Sequence, residues 1–238
     1  MNVLTMKASI RKELWEFKKI LTWVPVALAV LIFVIPALNF FLHDIDTHAL
    51  FVRIDRLVDF QNSPELEKVF FVGLISLFAP FLVLSIIVQL YYFLTCLYDE
   101  RRDQSVMFWR SLPVSDSLTI MSKLITGALV IPAIFFMVAT LVLITILIFA
   151  LIGCIVLSIG YDISLWGMWV SSNIISAASI IWATLLPLAI WLLPLFGWLM
   201  LASMYAKKAP FLWAVLPVVA LLLVEGLAVH YLDLSQPF

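Results

Sequence analysis

The run His43-Asp44-Ile45-Asp46-Thr47-His48 places two imidazoles and two carboxylates within six residues. Side chains of these types, spaced so in an extended loop, have the donor atoms for a divalent cation. The plainer reading is a solvated loop just past an apolar run, and no metal site is assigned. Inside the apolar runs, ionisable groups are rare: Lys123 stands near the start of one and Glu225 late in another. Charge inside a membrane segment is costly and therefore a functional candidate by default. Glu225 reads either as a substrate or gating contact within a helix bundle, or as a carboxylate near the outer interface bonded to a neighbouring helix. One carboxylate with no base or nucleophile near it does not make an active site. None of the seven glycines precedes a lysine, so there is no GxxxxGK[ST] phosphate loop. HExxH and GxSxG are absent too. Cys96 and Cys154 lack metal-ligand spacing and read as small apolar residues near opposite faces of the membrane. The chain is expected to be no enzyme and to carry no cofactor of its own.

Two polar segments hold more information. The first is Tyr98-Asp-Glu-Arg-Arg-Asp-Gln-Ser-Val-Met-Phe-Trp-Arg-Ser-Leu-Pro-Val-Ser-Asp-Ser117. Six charged residues between Asp99 and Arg110 put it in water, yet Val106, Met107, Phe108 and Trp109 stand together within it. Apolar side chains on a wetted loop mark a docking surface, and aromatic and arginine residues are the types that anchor interfaces. The alternative is that this short apolar helix packs on the chain's own N-terminal helix or dips into the membrane interface. Pro113 breaks the short helix, and Ser115 or Asp116 can cap the next one. The second segment covers residues 6–19. At about 100° per residue, Met6, Ile10, Leu14, Phe17 and Leu21 share one face. Lys7, Arg11 and Lys18 flank that stripe, with Lys12, Glu13, Glu16 and Lys19 further round. This is the pattern of an amphipathic helix in the headgroup layer, its basic side chains reaching anionic lipid.

The elements that must carry these segments are membrane spans. Hydrophobic residues make up 65% of the chain and charged residues 12%, against about 45–50% and about 25% in soluble domains. Runs of about 20 apolar residues can cross a bilayer as helices. Five such spans are predicted, over residues 20–42, 68–97, 118–152, 173–205 and 210–232. Each contains proline, which membrane helices tolerate as kinks because neighbouring groups satisfy the freed carbonyls. The runs are apolar on every face, which excludes the alternation of a membrane β-strand. The expected fold is therefore an all-α, polytopic transmembrane helical bundle. Residues 118–160 are long for one crossing and could form a hairpin; a single tilted helix keeps the charge bias intact. Eleven of the fourteen lysines and arginines fall before span one, in the loop at 98–117 with Lys123, or in the link between spans four and five. By the positive-inside rule the N-terminus and these loops are cytoplasmic, and the loop at 43–67 lies outside.

The segment from Tyr98 to Lys123 resembles the first cytoplasmic loop of type-2 ABC exporter permeases of bacteria. There an acidic–basic cluster after span two leads to a short coupling helix, and a Ser-Leu-Pro-Val-Ser-like break opens span three. The amphipathic segment at 6–19 is similar to that family's N-terminal connecting helix. The resemblance implies a bacterial inner-membrane permease subunit that pairs with a second permease copy, homo- or heterodimeric, and rests on an ABC ATPase subunit. ATP and Mg would be bound by that ATPase. It also implies that Glu100, Arg101, Arg102, Asp103, Phe108, Trp109 and Arg110 contact the ATPase. Lipid is an expected partner and nucleic acid is not. Family members usually have six spans, so the expectation is either that the chain ends after five or that a sixth span is missing after Leu234. The rival expectation is an ATPase-coupled subunit that passes a mechanical signal outward without transport.

Overall fold

A computed structural model describes residues 3–42, 47–60, 63, 65–103 and 115–232. Among them the chain is helical and carries no β-strand. In chain order the helices are α1 (Val3–Glu16), α2 (Lys18–Leu42), α3 (Thr47–Phe60), α4 (Leu66–Thr95), α5 (Tyr98–Arg102), α6 (Asp116–Ile125), α7 (Ile131–Tyr161), α8 (Trp166–Ser171), α9 (Ile174–Ala183), α10 (Leu185–Tyr205) and α11 (Pro210–Leu232). A π-helical turn, Thr126–Val130, joins α6 to α7. Five helical stretches are long and apolar enough to cross a membrane: Lys18–Leu42, Leu66–Arg102, Asp116–Tyr161, Trp166–Tyr205 and Pro210–Val229. The chain is a polytopic all-α bundle of the multi-pass membrane type.

The long third stretch runs unbroken from Asp116 to Tyr161, so residues 118–160 form one helical run and no hairpin. It ends at Asp162, whose left-handed backbone (φ 59°) lets its amide bond the Leu157 carbonyl. The fourth predicted span, 173–205, begins at Asn173, itself left-handed at φ 45°, and continues through Thr184, whose amide bonds the Ile180 carbonyl and whose carbonyl takes the Leu188 amide.

The chain divides into two compact units. One comprises residues 17–86 and 129–188. Its core is aromatic: Phe136 meets Phe78 edge-on at 5.5 Å and Trp182 at 5.9 Å. The Trp182 indole donates to Thr140 Oγ1 at 3.0 Å, and that hydroxyl donates in turn to the Phe136 carbonyl at 2.8 Å. Both polar atoms are thereby satisfied, as burial demands.

The other unit comprises residues 1–16, 87–128 and 189–238. Phe93 and Phe196 are fully buried there and stack at 4.4 Å. The Phe93 ring lies so close to Gly127 that a Cβ at 127 would collide with it, which is why glycine stands there. In the π register the Gly127 carbonyl faces residue 132, a proline with no N–H to give. Gln89 supplies the missing donor: its Nε2 bonds the Gly127 carbonyl at 2.8 Å and reaches Ala128 O at 3.4 Å. Re-bonding of a proline-freed carbonyl, expected from sequence, here has a named donor.

Candidate functional site

Glu13 is the one side chain of α1 that is fully buried among the described residues. At about 100° per residue it stands only about 20° from Met6, so it adjoins the apolar stripe. The expectation that it lies further round, with the solvated charges, is corrected. The half-buried face of α1 runs Met6, Ser9, Ile10, Leu14 and on to Phe17, with Glu13 at its centre. This face meets α6, where Ser9 Oγ and Ser122 Oγ share a hydrogen bond of 2.8 Å. Lys7, Arg11 and Lys18 are exposed, and Arg11 lies over the Trp15 ring at 5.9 Å.

Lys123 is the partner that allows Glu13 to be buried. Its side chain is completely enclosed. The Nζ donates to Glu13 Oε1 at 2.8 Å and to the Cys96 carbonyl at 3.1 Å, and it lies 3.1 Å from Glu100 Oε1. An ammonium has three protons, and each has an acceptor here. Tyr92 donates its hydroxyl to Glu13 Oε2 at 2.9 Å. Lys12 Nζ donates to Glu100 Oε1 at 2.7 Å from the partly exposed edge. Two lysines and two glutamates thus form a neutral quartet that joins α1, the end of α4, α5 and α6. Glu16, the exposed last residue of α1, is held above the ordinary carboxylate pKa, first by partial desolvation and then by repulsion from Glu13.

The quartet has little to offer as chemistry. An ammonium saturated by three acceptors is neither base nor nucleophile, and Cys96, beside it, lends only its backbone carbonyl to Lys123 while its thiol turns to the Phe93 carbonyl at 3.7 Å. What the quartet does is mechanical. A buried pair is strongly destabilising to break, so α1 is fastened to the root of the polar loop and to the start of the third membrane stretch.

A second tie holds the same root. Arg101 donates through Nη2 to the carbonyls of Ser203 at 2.7 Å and Ala206 at 2.9 Å. These groups close the C-terminal end of α10, where a cation is favoured by the helix dipole. The Tyr98 amide donates to Ser203 Oγ at 3.0 Å. α5 is thus held by Glu100 toward α1 and α6, and by Arg101 toward α10.

Of the residues that the family resemblance assigns to an ATPase, Glu100 is buried, and Arg101 bonds within the chain through Nη2 while staying exposed. Arg102 and Asp103 are exposed too, 4.0 Å apart. Phe108, Trp109 and Arg110 lie outside the described residues. So does the run from His43 to Asp46; among the described residues no group of three or more His, Cys, Asp or Glu side chains is placed to hold a metal ion. Glu225 is half-buried on α11. Glu13 and the two-sided anchoring of α5 escaped sequence reasoning; the available signal was the place of Glu13 beside the apolar stripe. Comparison with family models, curated proteins and solved structures finds no match to this chain.

Proposed function

We propose that the chain is the membrane-spanning permease subunit of an ABC transporter. In this reading it couples ATP hydrolysis by a separate ATPase subunit to export of a lipid-like, glycan, drug or peptide substrate. The observation that carries it is the anchored loop root. A loop that transmits force needs a stiff base, and Tyr98–Arg102 is tied on one side through Glu100 to Lys12 and Lys123, and on the other through Arg101 to the end of α10. Beyond the base stands the apolar run Val106-Met-Phe-Trp109, suited to docking. After it, Asp116 opens the longest helical stretch, so a push on the loop would pass straight into a membrane span.

The ATPase contacts are then Arg102, Asp103, Phe108, Trp109 and Arg110, with Glu100 and Arg101 positioning the loop from behind. Two permease copies pair in a bacterial cytoplasmic membrane, with the basic N-terminal segment inside. The second reading, a subunit that signals mechanically without transport, draws on α3. This helix lies in the loop assigned to the outer side and exposes Asp55, Arg56 and Asp59 as a surface for a partner.

The test is co-purification with an ATPase encoded beside this chain, comparing wild type with the double variant Phe108→Asp, Trp109→Asp, membrane insertion checked in both. The ATPase is expected to follow the wild type and to be lost from the inserted variant. Retention by the variant, or by neither protein, would overturn the coupling role.

A further inference from the structure

We propose that an apolar cavity walled mainly by α4 and α7 holds the acyl tail of a membrane lipid. The cavity lies within the unit of residues 17–86 and 129–188 and measures about 630 Å³, inside the roughly 300–1,000 Å³ range of ligand sites. Besides α4 and α7, α2 contributes Ile32, α3 Leu57, α8 Met168 and α9 Ile174. Among the described residues, the hydroxyl of Ser76 is the one polar side-chain group in the wall. A water would need two to four polar partners there. A glycan or peptide would leave polar groups unpaired at about 1–3 kcal/mol each. Hydrocarbon leaves none. The cavity is half open to its surroundings, and most of its walls belong to stretches long and apolar enough to cross a membrane, where lipid tails are the medium.

Two observations favour a lipid over a second copy of this chain. First, α3 puts Leu57 on the cavity and leaves Asp55, Arg56 and Asp59 exposed. That is the build of a helix lying at a membrane surface with hydrocarbon on its apolar side. Second, the same turn of α4 borders a separate recess of about 290 Å³, where Glu67, Lys68, Asn173 and Ser176 supply polar groups. Asn173 Nδ2 donates to Glu67 Oε1 at 3.2 Å, and Lys68 is exposed. Within one helical turn the surface passes from hydrocarbon to charge, the order of groups along a lipid from tail to head.

The test uses the full chain in vesicles of phosphatidylethanolamine and phosphatidylglycerol, doped with a phosphatidylcholine that carries a diazirine on its acyl chain. After irradiation, adducts are expected on peptides spanning residues 69–77 and 143–147 several-fold above those on residues 221–224 of α11, whose exposed apolar side chains report ordinary lipid contact. Gly73→Phe should fill the cavity, since a Cβ at Gly73 meets nothing within 4 Å. Val69→Trp, from an exposed site on the same wall, should do so independently. Each is expected to bring cavity labelling down to the α11 level while α11 labelling stays unchanged, which also reports insertion. The proposal is overturned if wild-type cavity labelling does not exceed that of α11, or if it survives both substitutions. It is equally overturned if a benzophenone attached at Gly73→Cys joins two copies of the chain. None of these outcomes depends on an ATPase partner.

Discussion

Replacing Lys123 by methionine removes the centre of the buried quartet while keeping the length of the side chain. Glu100 keeps Lys12, 2.7 Å away, so that pair stays neutral. Glu13 keeps only the Tyr92 hydroxyl on Oε2, and Oε1 loses the ammonium at 2.8 Å. The uncompensated charge is therefore that of Glu13, in a site where its side chain is 2% exposed. Breaking a buried pair by removing one partner costs about 3–5 kcal/mol, whereas replacing both with neutral groups is often close to neutral. Lys123→Met should fall in that range, and adding Glu13→Gln should restore about 2–3 kcal/mol, a coupling at the upper end of that seen for residues in contact. Lys12→Met, from a side chain 28% exposed, should cost no more than about 1 kcal/mol. The assay is reversible unfolding in mixed micelles titrated with dodecyl sulfate, followed by circular dichroism. Additive losses in the double variant, or equal losses for Lys12→Met and Lys123→Met, would refute the assignment of Glu13 and Lys123 as the enclosed pair.

Arg101→Ala removes the one nitrogen, Nη2, that donates to both Ser203 and Ala206; it should cost about 1.5–3 kcal/mol and raise proteolysis within residues 98–115. Gln89→Leu leaves the Gly127 carbonyl opposite a proline with no donor, and should destabilise by about 1–3 kcal/mol in the same micelle titration. Ala209 holds φ at 50°, so Ala209→Gly should stabilise by about 1 kcal/mol, seen as a raised thermal midpoint in detergent.

The spans were legible because each is apolar on every face, a signal that needs no knowledge of neighbours. The sequence predicts one long helix over 118–160 with its span at 118–152, and the helical run from Asp116 to Tyr161 agrees with the single helix while exceeding the span at both ends. The π turn was hidden, although Pro132 hinted at a freed carbonyl that some donor must meet. The quartet was the hardest to read. Lys123 stood out as a charge in an apolar run, but Glu13 and Glu100 sit in polar segments, where carboxylates are ordinary. Sequence periodicity assigns a residue to a face and is silent on what that face meets. The same limit applies to Glu100 and Arg101: their types suit an interface, and only packing shows that they also bond the chain's own helices.

The ion pair between Glu13 and Lys123 spans 110 residues. At a synthesis rate of about 5–20 residues per second, the carboxylate precedes the ammonium by roughly 5–20 s. During that interval the N-terminal helix has no buried seat to occupy. Its attachment is a late event of biogenesis, gated by the emergence of the third span rather than by any local propensity. A nascent chain halted before Lys123 would carry the same sequence with nowhere to dock it, and a helix of 14 residues is marginal without such a seat.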